Sequence, residues 1–281
     1  MSAPAQVDRA FARLAEGLIH YRHAGAGPAR PLYMAHAGPG SSRGLEEMVA
    51  LMGAHRPVIA PDMPGNGDSA PPLRRDTDIA YYADAALRLM DALGIDKVDF
   101  FGSHTGAFIG IEMARMAPAR VGALVLDGVM LLDGAQRATM LARYAPEMAP
   151  DAHGGHLAWA FQFVRDMMLF YPYFERTAAA RMARDLPSPE AMHPLVVDVV
   201  KALGTYHCAY RAAFAYDAVA ALPGVARPCL LTCAAEDPLF ADLPQAGALL
   251  PQAQLLARAA GMGPAEAAAA FEAFLSGQAE A

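Results

Sequence analysis

Imidazole titrates near neutral pH, so proton chemistry is first sought at histidines. This chain has nine, at positions 20, 23, 36, 55, 104, 153, 156, 193 and 207, and none follows His207. His104 is the centre of Gly102-Ser103-His104-Thr105-Gly106, where small residues flank a segment short enough to demand a sharp, strained turn. There it could serve as a general base, taking and returning a proton without a partner serine, or as a nucleophile forming a transient acyl-imidazole that water hydrolyses. It could also pack or hydrogen-bond in a site used only for binding. His153 and His156 are three apart, but no third ligand has a recognisable spacing, so no metal is expected. His156, Trp159, Phe163 and Phe170 recur at helical spacing and share a face, which either packs onto a core or closes over a pocket, with His156 or Arg165 offering a polar contact. Arg165 could meet a substrate carboxylate, or pair with Asp166 or Glu175.

The elements that must position these groups alternate. Residues 11–15 and 18–23 flank Glu16-Gly17 like a hairpin, and 32–36, 58–61, 98–102 and 121–129 are short apolar runs read as strands. Between them, 44–52, 78–93 and 106–116 carry helical periodicity. The strand at 98–102 runs into the helix at 106–116 with no room for a loop, and His104 falls in that turn. Residues 130–220 gather aromatics, Met and four histidines among helical patterns without strand alternation, so they form a helical insertion. Within it, Tyr206 and Tyr210 share a helical face expected to pack near the return to the core, and His193 before Pro194 predicts a loop. Strands return at 229–234 and 254–257, and an Ala-rich helix follows at 264–275.

With 281 residues, 55% hydrophobic and 18% charged, the chain can bury one sizeable core and is not disordered. Its net charge of −7 and lack of any basic run longer than Arg74-Arg75 argue against nucleic acid as a partner. No long uncharged apolar stretch is present, so a membrane span is not expected. Cys208, Cys229 and Cys233 lack metal-type pairing, and the N-terminus has no signal-peptide pattern, which together suggest the cytoplasm.

Several motifs in order resemble the α/β-hydrolase-fold superfamily. Residues 102–106 have the frame of its nucleophile elbow, G-x-S-x-G, with His104 in place of the serine. His36-Ala37-Gly38-Pro39-Gly40-Ser41-Ser42 resembles the HGGPGSS oxyanion loop, and the segment from Ala60 to Ser69 resembles the D-x-P-G-x-G-x-S loop after the fourth strand. The resemblance implies a mostly parallel eight-stranded sheet flanked by helices. The core would comprise 1–129 and 221–281, with a helical cap at 130–220 after the sixth strand. It places Asp237, just after the strand at 229–234, at the acid position, where it would orient or charge-stabilise an imidazole; beside Pro238 it could instead be a turn or N-cap residue. Asp127 is a second acid, for which a turn with Gly128 is the plainer role. The loop Ala260-Gly261-Met262-Gly263-Pro264 aligns with the family's histidine loop, so Met262 stands where the triad histidine would be. By the same resemblance the backbone amides of Gly38 and Thr105 form an oxyanion hole, while Ser103 should point away from the site.

The expected protein is thus an α/β-hydrolase-fold enzyme without a Ser-His-Asp triad. It would act on a small carbonyl or ester-type substrate by hydrolysis or lyase-type chemistry, with catalytic His104 and Asp237, oxyanion donors Gly38 and Thr105, and substrate contacts from His36, His156, Trp159 and Arg165. No cofactor is expected. The rival reading is a catalytically silent binding protein that keeps the pocket.

Overall fold

A computed structural model of the chain describes residues 3–278. Eight strands, β1 (Asp8–Leu14), β2 (Gly17–Ala24), β3 (Leu32–Ala35), β4 (Val58–Pro61), β5 (Val98–Ser103), β6 (Val121–Asp127), β7 (Cys229–Ala234) and β8 (Gln254–Arg258), form one sheet in the order β1-β2-β4-β3-β5-β6-β7-β8. β2 is antiparallel to β1 and β4, and every pairing from β4 across to β8 is parallel. The hydrophobic pattern explains the layering. β3 and β4 are buried at all four positions, as befits strands covered on both faces. Along β5, successive side chains point to opposite sides: Phe100 packs in one core cluster and Phe101 in the other.

The helices α1 (Glu46–Gly53), α2 (Ile79–Ala92) and α3 (Thr105–Met116) connect the first strands. Then α4 (Gly134–Arg143), α5 (Gly155–Leu169), α6 (Pro189–Lys201), α7 (Tyr206–Ala215) and α8 (Ala218–Ala221) lie between β6 and β7, and α9 (Leu243–Leu249) and α10 (Pro264–Ser276) close the chain. Residues of α2, α3 and α7 share the Phe100 cluster, and residues of α1 and α10 share the Phe101 cluster.

Two local expectations fail for identifiable reasons. His193 and Pro194 lie inside α6, not in a loop. Pro194 sits in the second turn, after an N-cap Ser188 whose Oγ accepts the Ala191 amide and Pro189 at the helix start, so strong initiation offsets the proline. Phe170 is not on the helical face of Trp159 and Phe163, because α5 ends at Leu169 and Phe170 is extended, bridging to Arg181.

The segment between β6 and β7 is fastened to the loops after β3 and β4. Ser41 Oγ donates to the buried Asp198 of α6 at 2.9 Å, Lys201 pairs with Asp68 at 2.6 Å, and Thr205 Oγ1 donates to the Gly65 carbonyl at 2.5 Å. No helix among the described residues is long and apolar enough to cross a membrane.

Candidate active site

The parallel strands deliver their carboxyl ends to one edge of the sheet, where ligands of open α/β sheets are bound. β3 leads to His36 and Gly38, β5 to His104, β6 to Asp127 and β7 to Asp237.

His104 occupies the single turn between β5 and α3 and is, among the described residues, the one non-glycine with positive φ, at 51°. The flanking glycines make that turn physically achievable. A Cβ on Gly102 would meet the Gly106 carbonyl oxygen at 2.2 Å, and one on Gly106 would meet the Ala35 carbonyl oxygen of β3 at the same distance. The backbone is fixed further by the His104 amide donating to the Asp127 carbonyl at 2.8 Å.

From this turn the imidazole reaches Asp237 directly, with Nε2 2.8 Å from Oδ2. The other carboxylate oxygen accepts the Leu239 amide at 2.8 Å, so the acid and turn roles weighed for Asp237 coexist in one side chain. Because a carboxylate only accepts, the proton of the neutral imidazole resides on Nε2, which leaves the lone pair on Nδ1. Gly128, at φ 67°, makes room: a Cβ there would stand 2.8 Å from Cδ2 and 2.9 Å from Nε2 of His104. That ring edge is therefore committed to Gly128 and Asp237, and the edge bearing Nδ1 and Cε1 faces away from them.

Electrostatics follow from the pair. Burial by itself would lower the His104 pKa, but the hydrogen bond to Asp237, together with the charges of Asp237 and Asp127, leaves it raised above the ordinary value of 6.5. For Asp237, burial is likewise outweighed, and contact with His104 holds its carboxyl below the usual range. Asp127 differs: burial pushes its pKa up despite Arg258, whose guanidinium pairs with it at 2.5 Å across from β8. Asp127 is thus anchored to Arg258 and acts on His104 through its carbonyl and its field.

His104, Gly38 and Thr105 line one side of a partly open pocket that, counted with the solvent at its mouth, spans about 430 Å³. Gly38 and Thr105 are adjacent, a Cβ on Gly38 coming 3.4 Å from Thr105 Oγ1. The Thr105 amide opens α3, where first-turn N–H groups have no intrahelical partner and attract negative charge. The walls are aromatic and apolar: Tyr144, Tyr171, Tyr210, Phe214, Phe108 and Met130, with Ala213 and Leu239. A wider cleft of about 970 Å³ adjoins it, sharing Met130, Tyr171 and Leu239.

The four side chains expected at the substrate lie outside this wall. His36 is a brace: Nδ1 donates to the Ala37 carbonyl at 2.8 Å, Nε2 accepts the Met63 amide at 3.0 Å, and burial lowers its pKa. His156 sits at the start of α5 within hydrogen-bond distance of Asp151. Trp159 stacks on Phe163 with ring centres 4.9 Å apart and is tilted against Tyr206. Arg165 pairs with Asp166, the structural alternative weighed for it. Tyr210, expected only to pack, lines the cavity; its helical spacing marked a buried face, which in sequence looks the same whether that face meets a core or a void. Met262 packs against the cluster that contains Phe271.

A potential cation cluster of His20, Asp62 and Asp68 is already occupied by protein groups. Arg9 donates to His20 Nε2 and to Asp68, while Asp62 accepts from His20 Nδ1 and from the amides of Ser42 and Asp68.

Comparisons with known proteins bear on this geometry. The family model described as alpha/beta hydrolase fold matches residues 30–261. RutD of Klebsiella pneumoniae, provisionally named a carbamate hydrolase, is 31% identical over 214 residues, 75% of each chain. A Pseudomonas putida 2-hydroxy-6-oxononadienedioate/2-hydroxy-6-oxononatrienedioate hydrolase is 34% identical over 128 residues, which span under half of that relative, 44%. Among solved structures, an enol-lactonase from Burkholderia xenovorans superposes with a TM-score of 0.68 at 19% identity, covering 95% of this chain and 97% of that one.

Proposed function

This chain belongs to the α/β-hydrolase-fold family, and from that premise we propose that it hydrolyses a small ester or related carbonyl compound with a His104–Asp237 dyad in place of a Ser-His-Asp triad. The observation that carries the reading is the 2.8 Å contact with Asp237 made by the turn imidazole that lines the cavity. In this arrangement His104 stands at the elbow position, and one side chain serves where the family uses a serine and a histidine. Relatives named as hydrolases of carbonyl-bearing compounds support the reaction class.

The substrate carbonyl oxygen lies at the Gly38 and Thr105 amides. Water attacks the carbonyl carbon while His104 Nδ1 takes its proton, and the carbonyl π pair moves to oxygen as an oxyanion held by the two amides, each worth about 3–4 kcal/mol when measured by removal. The oxyanion collapses, the bond to the leaving group breaks, and imidazolium Nδ1–H returns the proton to it. Asp237 holds the tautomer and stabilises the imidazolium. General base catalysis fits better than direct attack, because Nδ1 is flanked by the side chain's own Cβ and backbone.

Residues 130–220 act as a cap over a core of 1–129 and 221–281. Three free, buried cysteines suit a reducing compartment such as the cytoplasm. The test is a panel of aryl and short acyl esters with the wild type and His104→Ala. Turnover that falls by about a hundredfold or more in the variant supports the dyad, within the usual range for loss of a general base. No turnover of any ester, with ligand still bound, supports the silent binding protein instead.

A further inference from the structure

The cavity walls also limit what can enter them. Among the described residues no Lys or Arg lines either the His104 cavity or the adjoining cleft. The carboxylates nearby are Asp237, held by His104, Asp127, paired with Arg258 behind the site, and Asp242 in the cleft. Arg184, whose charge reaches Asp237, is held by the Met167 and Met168 carbonyls. Two of the wall tyrosines, in contrast, carry poorly occupied hydroxyl donors. Tyr171 Oη donates to Met130 Sδ at 3.6 Å and Tyr210 Oη to Met167 Sδ at 3.4 Å. Thioether sulfur is a weak acceptor, so an entering oxygen readily replaces it.

We propose that the site selects uncharged aromatic or apolar carbonyl compounds whose neutral oxygen acceptors take the Tyr171 and Tyr210 hydroxyls, and that it rejects analogues carrying a carboxylate. The proposal rests on the cavity being the substrate site and names its substrate class. With the reacting carbonyl oxygen on the Gly38 and Thr105 amides and His104 neutral as the base, a carboxylate elsewhere on the substrate would meet walls that hold no Lys or Arg, at a cost that hydroxyl donors cannot offset. This separates the protein from relatives named for dioate substrates. Tyr171 lines both the cavity and the cleft, so it contacts the substrate where an apolar group passes from one to the other.

The test uses ketones, which bind without hydrolysis, so that failure of catalysis and failure of the substrate class are separable. Calorimetric titration of the wild type with acetophenone and with 4-acetylbenzoate at pH 8 should show the neutral ketone binding about a hundredfold tighter, the order expected for an unpaired buried carboxylate. Met130→Lys, which places a cation at the shared wall, should shrink that ratio. Tyr171→Phe and Tyr210→Phe should each weaken binding of a para-methoxy or para-acetyl derivative by up to about tenfold while leaving ethylbenzene binding unchanged. Equal binding of the two ketones, tighter binding of the carboxylate, or binding of neither would overturn the proposal.

Discussion

At the scale of residues, the central fact is that one imidazole carries two constraints, a backbone at φ 51° and a carboxylate at 2.8 Å. Asp237→Asn separates them. An Asn amide can donate to Nε2, which moves the ring proton to Nδ1 and removes the free lone pair, so kcat should fall by about 10²–10⁴-fold. Without the charge of Asp237 the lowering effect of burial dominates, and the pKa of His104 followed by NMR should drop. The proposed base works as the neutral imidazole, so activity should decline as pH falls through a value above 6.5. Stability has the opposite sense for the histidine. Its raised pKa makes its contribution complete below the unfolded value and lost as pH rises through the folded one, whereas the lowered pKa of Asp237 makes that contribution present above 3.8 and lost below. The stability gap between wild type and Asp237→Asn should therefore be widest between about pH 4 and 6.5 and narrow on either side. A gap independent of pH would contradict the pairing.

At the scale of elements, the β5–α3 turn and the β6 terminus form one device. Gly128 gives the imidazole its room, and Gly128→Ala would add both left-handed strain, about 1–2 kcal/mol, and a Cβ at 2.8 Å from the ring. The expected result is a modest loss of stability with a much larger loss of turnover, read by comparing chemical denaturation with kcat; equal losses would mean that the glycine serves folding alone. The same elements show what a sequence reveals. The 102–106 frame and the apolar runs around it made the strand, turn and helix legible, because both depend on local sterics and a short-range pattern. The pairing of Asp237 with an imidazole was legible only through the family resemblance and not from any local pattern, since the contact joins groups 133 residues apart. The cavity walls were hardest to foresee. Tyr144, Tyr171 and Tyr210 differ from packing aromatics only in facing a void, and the side chains favoured in their place, His156 and Arg165, found local acidic partners instead.

At the scale of the whole molecule, the cavity exists because the β6–β7 segment is held against the core, and Asp198 is its most buried polar tie, 5% exposed. It accepts from Ser41, three residues beyond Gly38, so the fastening and the proposed oxyanion loop are mechanically continuous. Burial raises the Asp198 pKa, while Ser41 and the charges of His36 and Arg43 oppose that shift and Asp62 adds to it. For an acid with a raised folded pKa, the stabilising form is protonated: its contribution is complete below the unfolded value and lost as pH rises through the folded one. Asn mimics the protonated form and still offers Ser41 a carbonyl acceptor. Asp198→Asn should accordingly match the wild type near pH 4 and exceed its Tm at pH 7. Asp198→Ala, which strands the Ser41 hydroxyl, should cost about 1–3 kcal/mol and raise KM more than it lowers kcat, because it loosens the walls while leaving His104 and Asp237 in place. Thermal melts of the three proteins at both pH values decide the matter: a wild type more stable than Asp198→Asn at pH 7 would mean that the charge itself, and not the hydrogen bond, fastens the segment.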